Sequence, residues 1–140
     1  MSQRKIVLVV DDDTEIQDLL QTYLPAHWKV HSAYVGKEAV KMYRTLLESG
    51  ERPDLVVMDL NLSGTKERQA MFEQMQGTEV DGVTAAEEIL EIDPDANIVG
   101  YTAFADMEWG ERLKAVGAKA VYGRDIGFDT FAKKAQQIVA

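Results

Sequence analysis

The sequence predicts a doubly wound α/β domain with one five-stranded parallel sheet, and three observations lead to this class. Five short apolar runs alternate with segments in which apolar residues recur at helical spacing, which is typical of parallel strands joined by helices. Two of these runs are continuously apolar, as expected of strands covered on both faces. The 140 residues contain no internal repeat and no low-complexity linker, so we expect a single domain over residues 1–140.

The first two strand–helix units occupy the amino-terminal third of the chain. The β-branched run Ile6–Val10 predicts a buried strand, and Thr14 could cap the helix that follows, which should stop near Pro25. One side of this helix is predicted to carry the apolar residues Ile16, Leu19, Leu20, Tyr23 and Leu24. The second unit combines a weakly alternating outer strand at residues 30–34 with a helix over residues 36–47.

The other three units follow the same alternation. The segment at residues 54–60 contains the second continuously apolar run, which ends at Asp59, and a helix is predicted over residues 83–92. The last two units have predicted strands at 97–101 and 119–122 and predicted helices at 109–116 and 128–139. Right-handed crossovers leave few topologies, and we expect strand order 2-1-3-4-5 with the two continuously apolar strands as central neighbours.

Composition excludes several classes of protein. The net charge of −9 argues against direct binding of nucleic acid, because phosphate contacts need basic patches. No run approaches the ~18 apolar residues of a membrane span, and the amino terminus lacks the features of a signal peptide. The chain has no cysteine, which excludes disulfides and thiolate metal sites, and we expect a cytoplasmic protein without a membrane partner.

Polar side chains follow four of the five predicted strands. They are Asp11, Asp12 and Asp13 after the first, Asp59 after the third, Thr102 after the fourth and Arg124 after the fifth. Because the carboxyl ends of parallel strands share one edge of the sheet, these residues can converge there. Oxygen ligands without histidine or cysteine suit Mg²⁺, and a hydroxyl with a fixed cation would complete a site for a phosphoryl group. Asp13 is expected instead to cap the first helix or to be a solvated charge.

Several motifs resemble the receiver domain of response regulators in two-component signalling, over essentially the whole chain. They are VLVVDDD at 7–13, DLVVMDL at 54–60, DG at 81–82, YTA at 101–103 and GAKAVYGR at 117–124. The resemblance implies the flavodoxin-like receiver fold and a phosphoacceptor switch. It also implies that the protein is not an enzyme, apart from its own phosphorylation and dephosphorylation.

The resemblance assigns a role to each residue of the site. It implies that Asp59 accepts a phosphoryl group from the phosphohistidine of a sensor histidine kinase or a phosphotransfer protein. Asp12 would contact Mg²⁺ directly, Asp11 mainly through water, and the backbone carbonyl of Asn61 would supply a further ligand. Thr102 would be the hydroxyl that reports phosphorylation.

The resemblance also implies partners for the phosphorylated state. Phosphorylation would bias the segment at residues 104–108 between two arrangements and so control a downstream protein or an output domain. A homodimer is an open alternative for assembly.

The residue after the fifth strand departs from the family pattern. Receivers normally place a lysine there, followed by proline, but the spacing from Thr102 puts Arg124 and Asp125 at these positions. Arginine keeps the charge but is larger and planar. The aromatic position of the family falls on Val121, with Tyr122 one residue late, and a one-residue slip would place Asp125 opposite the phosphate. We prefer Arg124 for the cation.

An insertion at about residues 63–80 is the second departure, since 21 residues separate Asp59 from Asp81. Good helix formers at residues 65–76 predict an extra short helix. Isolated helices of this length are marginal in water. We therefore expect a mobile, partly helical lid beside the site, which selects partners or limits the access of water.

Two other functions are compatible with parts of the sequence. The missing lysine favours a phosphorylation-independent pseudo-receiver that acts as an interaction module. Asp59-Leu60-Asn61 followed by Gly64-Thr65 weakly resembles the Asp-x-Asp-x-x-Thr signature of haloacid-dehalogenase-type phosphatases. Asn61 lacks the second carboxylate of that signature, and the nucleophile of those enzymes usually follows the first strand.

Overall fold

The structure is a computed structural model that describes residues 5–59, 81–103 and 108–139. In chain order its elements are β1 (Ile6–Val10), α1 (Thr14–Tyr23), β2 (Lys29–Ala33), α2 (Gly36–Glu48), β3 (Leu55–Met58), α3 (Asp81–Ile92), β4 (Ile98–Thr102), α4 (Glu108–Val116), β5 (Ala120–Gly123), a 3₁₀ turn (Arg124–Ile126) and α5 (Phe128–Val139). The predicted alternation of strands and helices is confirmed.

The five strands form one parallel sheet in the order β2-β1-β3-β4-β5, as predicted. The two continuously apolar strands, β1 and β3, are central neighbours, and Val10 lies opposite Met58. The hydrogen-bond pattern extends one residue past β3, because the backbone N–H of Asp59 donates to the carbonyl oxygen of Val10 at 3.0 Å. The next residues, Asp11 and Asp59, therefore leave adjacent strands at the same level.

Helices cover both faces of the sheet and create two core layers. Leu8 and Val10 of β1 point into the layer formed with α2, α3 and α4, whereas Val7 and Val9 point into the layer formed with α1 and α5. A strand buried on both faces cannot alternate with polar residues. This double burial explains why β1 and β3 are continuously apolar.

The start of α1 differs from the prediction for Thr14. Asp13 is the N-cap, since its Oδ1 accepts a hydrogen bond of 2.9 Å from the backbone N–H of Glu15. Thr14 is the first residue of the helix, so its assignment as the cap was wrong, while the assignment of Asp13 as a cap or solvated charge is confirmed. A carboxylate is a strong acceptor at this position and also interacts favourably with the helix dipole.

The buried side of α1 also differs from the prediction. Leu19 and Tyr23, which the prediction puts on the apolar side of the helix, are 38% and 46% exposed, so the buried side is narrower than that apolar side. The inward stripe contains Leu20 and Leu24 together with Gln17, which is buried. Gln17 lies three residues before Leu20 on the same helix face, and an amide there meets backbone carbonyls instead of apolar side chains.

Two further expectations concern membranes and the insertion. In the parts of the chain that the structure describes, no helix has both the length and the apolar character needed to cross a bilayer. The insertion at residues 63–80, with its predicted helix, lies outside the described residues.

Candidate functional site

Three aspartates meet at the carboxyl end of β1 and β3. Carboxylate oxygens of Asp11, Asp12 and Asp59 all lie within 4.8 Å of one another. Asp11 and Asp59 are 2% and 1% exposed, and Asp12 is partly buried. Like charges this close repel each other strongly where water is scarce, so a cation is needed to neutralise them.

Asp11 is held by groups on three sides. Its Oδ1 accepts a hydrogen bond of 2.9 Å from the backbone N–H of Asp13, which ties it to the start of α1. Its backbone N–H donates to the carbonyl oxygen of Ala33 on β2 at 3.0 Å. The Nε2 group of Gln17 donates to the backbone carbonyls of Asp11, Ala33 and Val9 at 3.0–3.1 Å. The buried amide therefore joins α1 to the ends of β1 and β2.

Arg124 brings a positive charge to this cluster. Its Nη2 donates to Asp11 Oδ2 at 2.6 Å and to the backbone carbonyl of Tyr101 at 3.0 Å. The Arg124 side chain is 19% exposed, so this ion pair is largely shielded from water. Asp125, which a one-residue slip would place opposite the phosphate, is exposed. The structure thus directs Arg124 to the acidic cluster.

Tyr101 forms the floor beneath this arginine. The guanidinium carbon of Arg124 lies 4.8 Å from the centroid of the Tyr101 ring, within cation–π range. Phe131 stacks on the same ring with centroids 4.1 Å apart and planes at 8°. Burial raises the pKa of the Tyr101 hydroxyl, and the charge of Arg124 partly opposes that rise.

The hydroxyl and aromatic positions lie on β4 and β5. Thr102 is fully buried at the carboxyl end of β4, one residue after Tyr101. Val121 packs in the layer of α2, α3 and α4, whereas Tyr122 packs on the other face, with its ring centroid 6.0 Å from that of Phe131. The family's aromatic position therefore holds an aliphatic side chain here.

The donor set fits a hard divalent cation. Asp11, Asp12 and Asp59 offer only oxygen atoms, which suit Mg²⁺ and exclude the nitrogen or sulfur coordination that Zn²⁺ usually has. Arg124 pairs with Asp11, and three carboxylates this close together repel one another when all are ionised. A divalent cation would balance them.

Some predicted site features cannot be placed. Asn61, whose carbonyl is an expected metal ligand, lies outside the described residues, and so does most of the segment at residues 104–108. The insertion at residues 63–80 is likewise outside them.

Tyr101 and Gln17 are site residues that the sequence reasoning missed. Gln17 carried a usable signal, because it is a polar residue within the apolar stripe of an amphipathic helix. Tyr101 carried none, since an aromatic residue in an apolar strand predicts only core packing.

Comparison with known proteins agrees with the fold. The family model described as "Response regulator receiver domain" matches residues 7–136. The chain is 30% identical over 117 residues to the chemotaxis protein CheY of Thermotoga maritima, covering 82% of this chain and 81% of that protein.

Solved structures with lower sequence identity share the fold. A CheY-like receiver domain protein from Methanospirillum hungatei has a TM-score of 0.75 at 20% identity, covering 98% of this chain and 94% of that one. CheY in a CheX–CheY–BeF₃–Mg²⁺ complex from Borrelia burgdorferi has a TM-score of 0.74 at 20% identity, covering 97% and 90%. With its sheet order, its acidic cluster and these matches, the chain belongs to the response regulator receiver domain family.

Proposed function

We propose that this receiver domain is a phosphoacceptor switch in which Asp59 takes a phosphoryl group from the phosphohistidine of a partner protein. The observation that carries the proposal is the placement of Asp59, a 1% exposed carboxylate within 4.8 Å of the carboxylates of Asp11 and Asp12. A buried carboxylate among like charges is unfavourable for folding alone, so such a cluster indicates a functional site.

The transfer needs one new bond and one broken bond. A carboxylate oxygen of Asp59 attacks phosphorus, and the P–N bond breaks as its electron pair returns to the imidazole of the donor histidine. The transition state carries its charge mainly on the phosphoryl oxygens, so positioning and charge neutralisation supply most of the acceleration. Arg124 is the cation that the described residues offer for this role.

Mg²⁺ is the proposed cofactor. Asp12 and Asp59 would hold the ion directly, Asp11 would act mainly through water, and the carbonyl of Asn61 would add a ligand. The bound ion would neutralise the carboxylates and the incoming phosphoryl oxygens. For the relative from Borrelia burgdorferi, the structure is described as containing both Mg²⁺ and the beryllium fluoride group.

The proposed response begins at Thr102. Its buried hydroxyl would turn toward the new phosphoryl oxygens and bias the segment at residues 104–108, which leads into α4. Expected partners are a sensor histidine kinase or a phosphotransfer protein, and a downstream protein or output domain. We further propose that the domain turns over no separate substrate, so its chemistry is limited to its own phosphorylation and dephosphorylation.

Labelling with acetyl phosphate tests the proposal. The full chain is incubated with acetyl phosphate, with Mg²⁺ or with EDTA, and intact-mass spectrometry measures the phosphorylated fraction. We expect labelling only with Mg²⁺, and none for Asp59→Asn. Asp54→Asn is the matched control, because Asp54 is at the opposite end of β3, where its Oδ2 accepts from the backbone N–H of Ile6.

The same experiment separates the alternatives. Unchanged labelling of Asp59→Asn would move the acceptor to another residue. A parent protein that stays unlabelled with Mg²⁺ would favour the pseudo-receiver, and measurable turnover of a generic phosphate ester would favour a phosphatase.

A further inference from the structure

The guanidinium of Arg124 has a fixed platform beneath it. Tyr101 is 1% exposed, its ring stacks on Phe131, and it lies perpendicular to the Phe128 ring, with centroids 5.5 Å apart and planes at 90°. A buried ring packed against two neighbouring aromatic rings cannot rotate without repacking the layer between the sheet and α5. The platform is therefore rigid.

Tyr101 contacts Arg124 in two different ways. The ring lies under the guanidinium at 4.8 Å, and the backbone carbonyl accepts from Nη2 at 3.0 Å. The same Nη2 also donates to Asp11 Oδ2 at 2.6 Å. One nitrogen thus joins the platform to the carboxylate, and the planar cation can lie on the ring as a compact ammonium would not.

We infer that Tyr101 is a positioning residue for Arg124: its ring and carbonyl oxygen hold the guanidinium against Asp11, where it competes with a divalent cation for that carboxylate. The inference rests on the proposed function, because it concerns the same acidic cluster. Arg124 becomes a tethered counter-ion that neutralises Asp11 in the metal-free protein and weakens Mg²⁺ binding. Tyr101 sets the strength of this competition without touching the metal.

Competition follows from the charges around Asp11. Asp11 is almost completely buried and makes a 2.6 Å ion pair with a cation that is four-fifths shielded. In such surroundings charge–charge interactions are much stronger than in water. While the guanidinium stays, a second cation gains less favourable interaction energy from Asp11. To gain the full energy, that cation must displace the guanidinium from the Tyr101 ring.

A double-mutant cycle read by calorimetric titration with MgCl₂ tests the inference. We expect Arg124→Gln to lower the Mg²⁺ dissociation constant about tenfold, as loss of a close, partly buried like charge should. Tyr101→Leu should lower it by roughly threefold, because the guanidinium loses its ring contact but keeps the carbonyl. In the Arg124→Gln background, Tyr101→Leu should change Mg²⁺ affinity no further.

Two matched variants serve as controls. One tests whether any loss of positive charge changes Mg²⁺ affinity, and the other tests whether any change at Tyr101 does. Lys119 is exposed and directly precedes β5, so it lies at the other end of that strand from the site. Lys119→Gln removes one positive charge there and should leave the Mg²⁺ affinity unchanged. Tyr101→Phe keeps the ring and the backbone carbonyl, so its Mg²⁺ affinity should equal that of the parent protein. Among the described residues the Tyr101 hydroxyl has no hydrogen-bond partner, so its loss should not disturb Arg124.

A second measurement covers the case in which Tyr101→Leu does not fold. In the parent protein, NMR should show ring-current shifts of the Arg124 side-chain protons without metal, and these shifts should diminish as Mg²⁺ is added. Shifts that do not respond to Mg²⁺, or an equal effect of Tyr101→Leu in both backgrounds, would overturn the inference.

The outcomes also separate this inference from the proposed function. Equal Mg²⁺ affinity of the parent and Arg124→Gln, with normal labelling of Asp59, overturns the competition and leaves the switch intact. Absence of Mg²⁺ binding in both proteins overturns the metal site and the inference with it. Binding by Arg124→Gln alone supports the inference in its strongest form.

Discussion

Two arginine–aspartate pairs lie at opposite ends of the sheet, each beside a buried tyrosine. At the carboxyl end, Arg124 Nη2 is 2.6 Å from Asp11, and at the amino end Arg52 Nε is 2.6 Å from Asp93. The pairs have the same chemistry and nearly the same length. Their surroundings differ, and that difference separates a structural ion pair from a functional one.

The pair at the amino end is balanced. Asp93 also accepts from the Tyr43 hydroxyl at 2.6 Å and from the backbone N–H of Asp95 at 3.1 Å, and Arg52 Nη2 adds a longer bond at 3.4 Å. The hydrogen bond from Arg52 is the main reason that the pKa of Asp93 is below its ordinary value. One carboxylate thus meets one guanidinium, and the cluster fastens α2 to the turn after α3.

The pair at the carboxyl end lies in a crowded acidic cluster. Asp12 and Asp59 add two carboxylates to the one that Arg124 neutralises. Within the described ranges, Arg124 Nε is buried without a hydrogen-bond partner. Natural proteins retain such unfavourable groups where function needs them. The comparison therefore predicts opposite effects of the same isosteric substitution at the two ends.

The largest effect is expected for Asp93→Asn. The amide keeps the shape of the carboxylate but removes its charge, so Arg52 loses its ion pair and the Tyr43 hydroxyl loses a charged acceptor. We expect a loss of about 2 kcal/mol in the free energy of unfolding, since bonds to charged groups contribute more than neutral ones and Arg52 is half exposed. Urea denaturation measures it.

Asp95→Asn is the control for that substitution. Asp95 is exposed and contributes only its backbone N–H to the cluster, so its side-chain charge should matter little. Equal losses for the two variants would show that general charge, and not the Arg52–Asp93–Tyr43 cluster, stabilises this end of the sheet.

How well the sequence predicts each of the two clusters depends on whether its residues occupy positions that the strand pattern marks. Asp11 and Asp59 follow continuously apolar runs, and strand alternation alone places them on one edge of the sheet. Their convergence was therefore predictable. The balanced cluster was not, because Tyr43, Arg52 and Asp93 are separated in sequence and Tyr43 sits in a helical apolar stripe that predicts only core packing.

The missed residues at the functional end have a related cause. Tyr101 contacts Arg124 across two strands, and a cation–π contact leaves no periodic pattern. The exposure of Leu19 and Tyr23 was missed because a helical wheel fixes spacing but not the rotation of the helix about its axis. Strand order was predictable from the sequence, whereas side-chain contacts between distant elements were not.

Tyr43 and Tyr101 should contribute differently to the loss of folding stability at alkaline pH. Burial and the hydrogen bond to Asp93 raise the pKa of Tyr43 far above its ordinary value of 10.0. Burial also raises the pKa of Tyr101, but the charge of Arg124 opposes that rise. A raised pKa in the folded state means that stability is complete below the unfolded value and is lost as pH rises above it.

Above pH 10, therefore, the free energy of unfolding should fall by about 1 kcal/mol per pH unit because of Tyr43. The fall that Tyr101 causes should be smaller. Urea denaturation between pH 9 and 11, about one unit on each side of the ordinary tyrosine pKa, measures the slope. Tyr43→Phe should flatten it more than Tyr101→Phe does. Equal flattening would mean that the two rings meet the same electrostatic surroundings, contrary to the comparison.

The smallest effect is expected for Asp12→Asn, and its sign should be opposite to that of Asp93→Asn. In metal-free buffer this substitution removes one of three crowded carboxylates while keeping the side chain's shape and hydrogen-bonding oxygen. Relief of repulsion in a partly buried cluster should raise the free energy of unfolding by about 0.5–1 kcal/mol. With saturating Mg²⁺ the order should reverse, because the parent gains stability from the ion in proportion to its affinity and the variant gains less. Urea denaturation in EDTA and in MgCl₂ gives both values. A loss of stability in EDTA similar to that of Asp93→Asn would show that the acidic cluster is as balanced as the pair at the amino end.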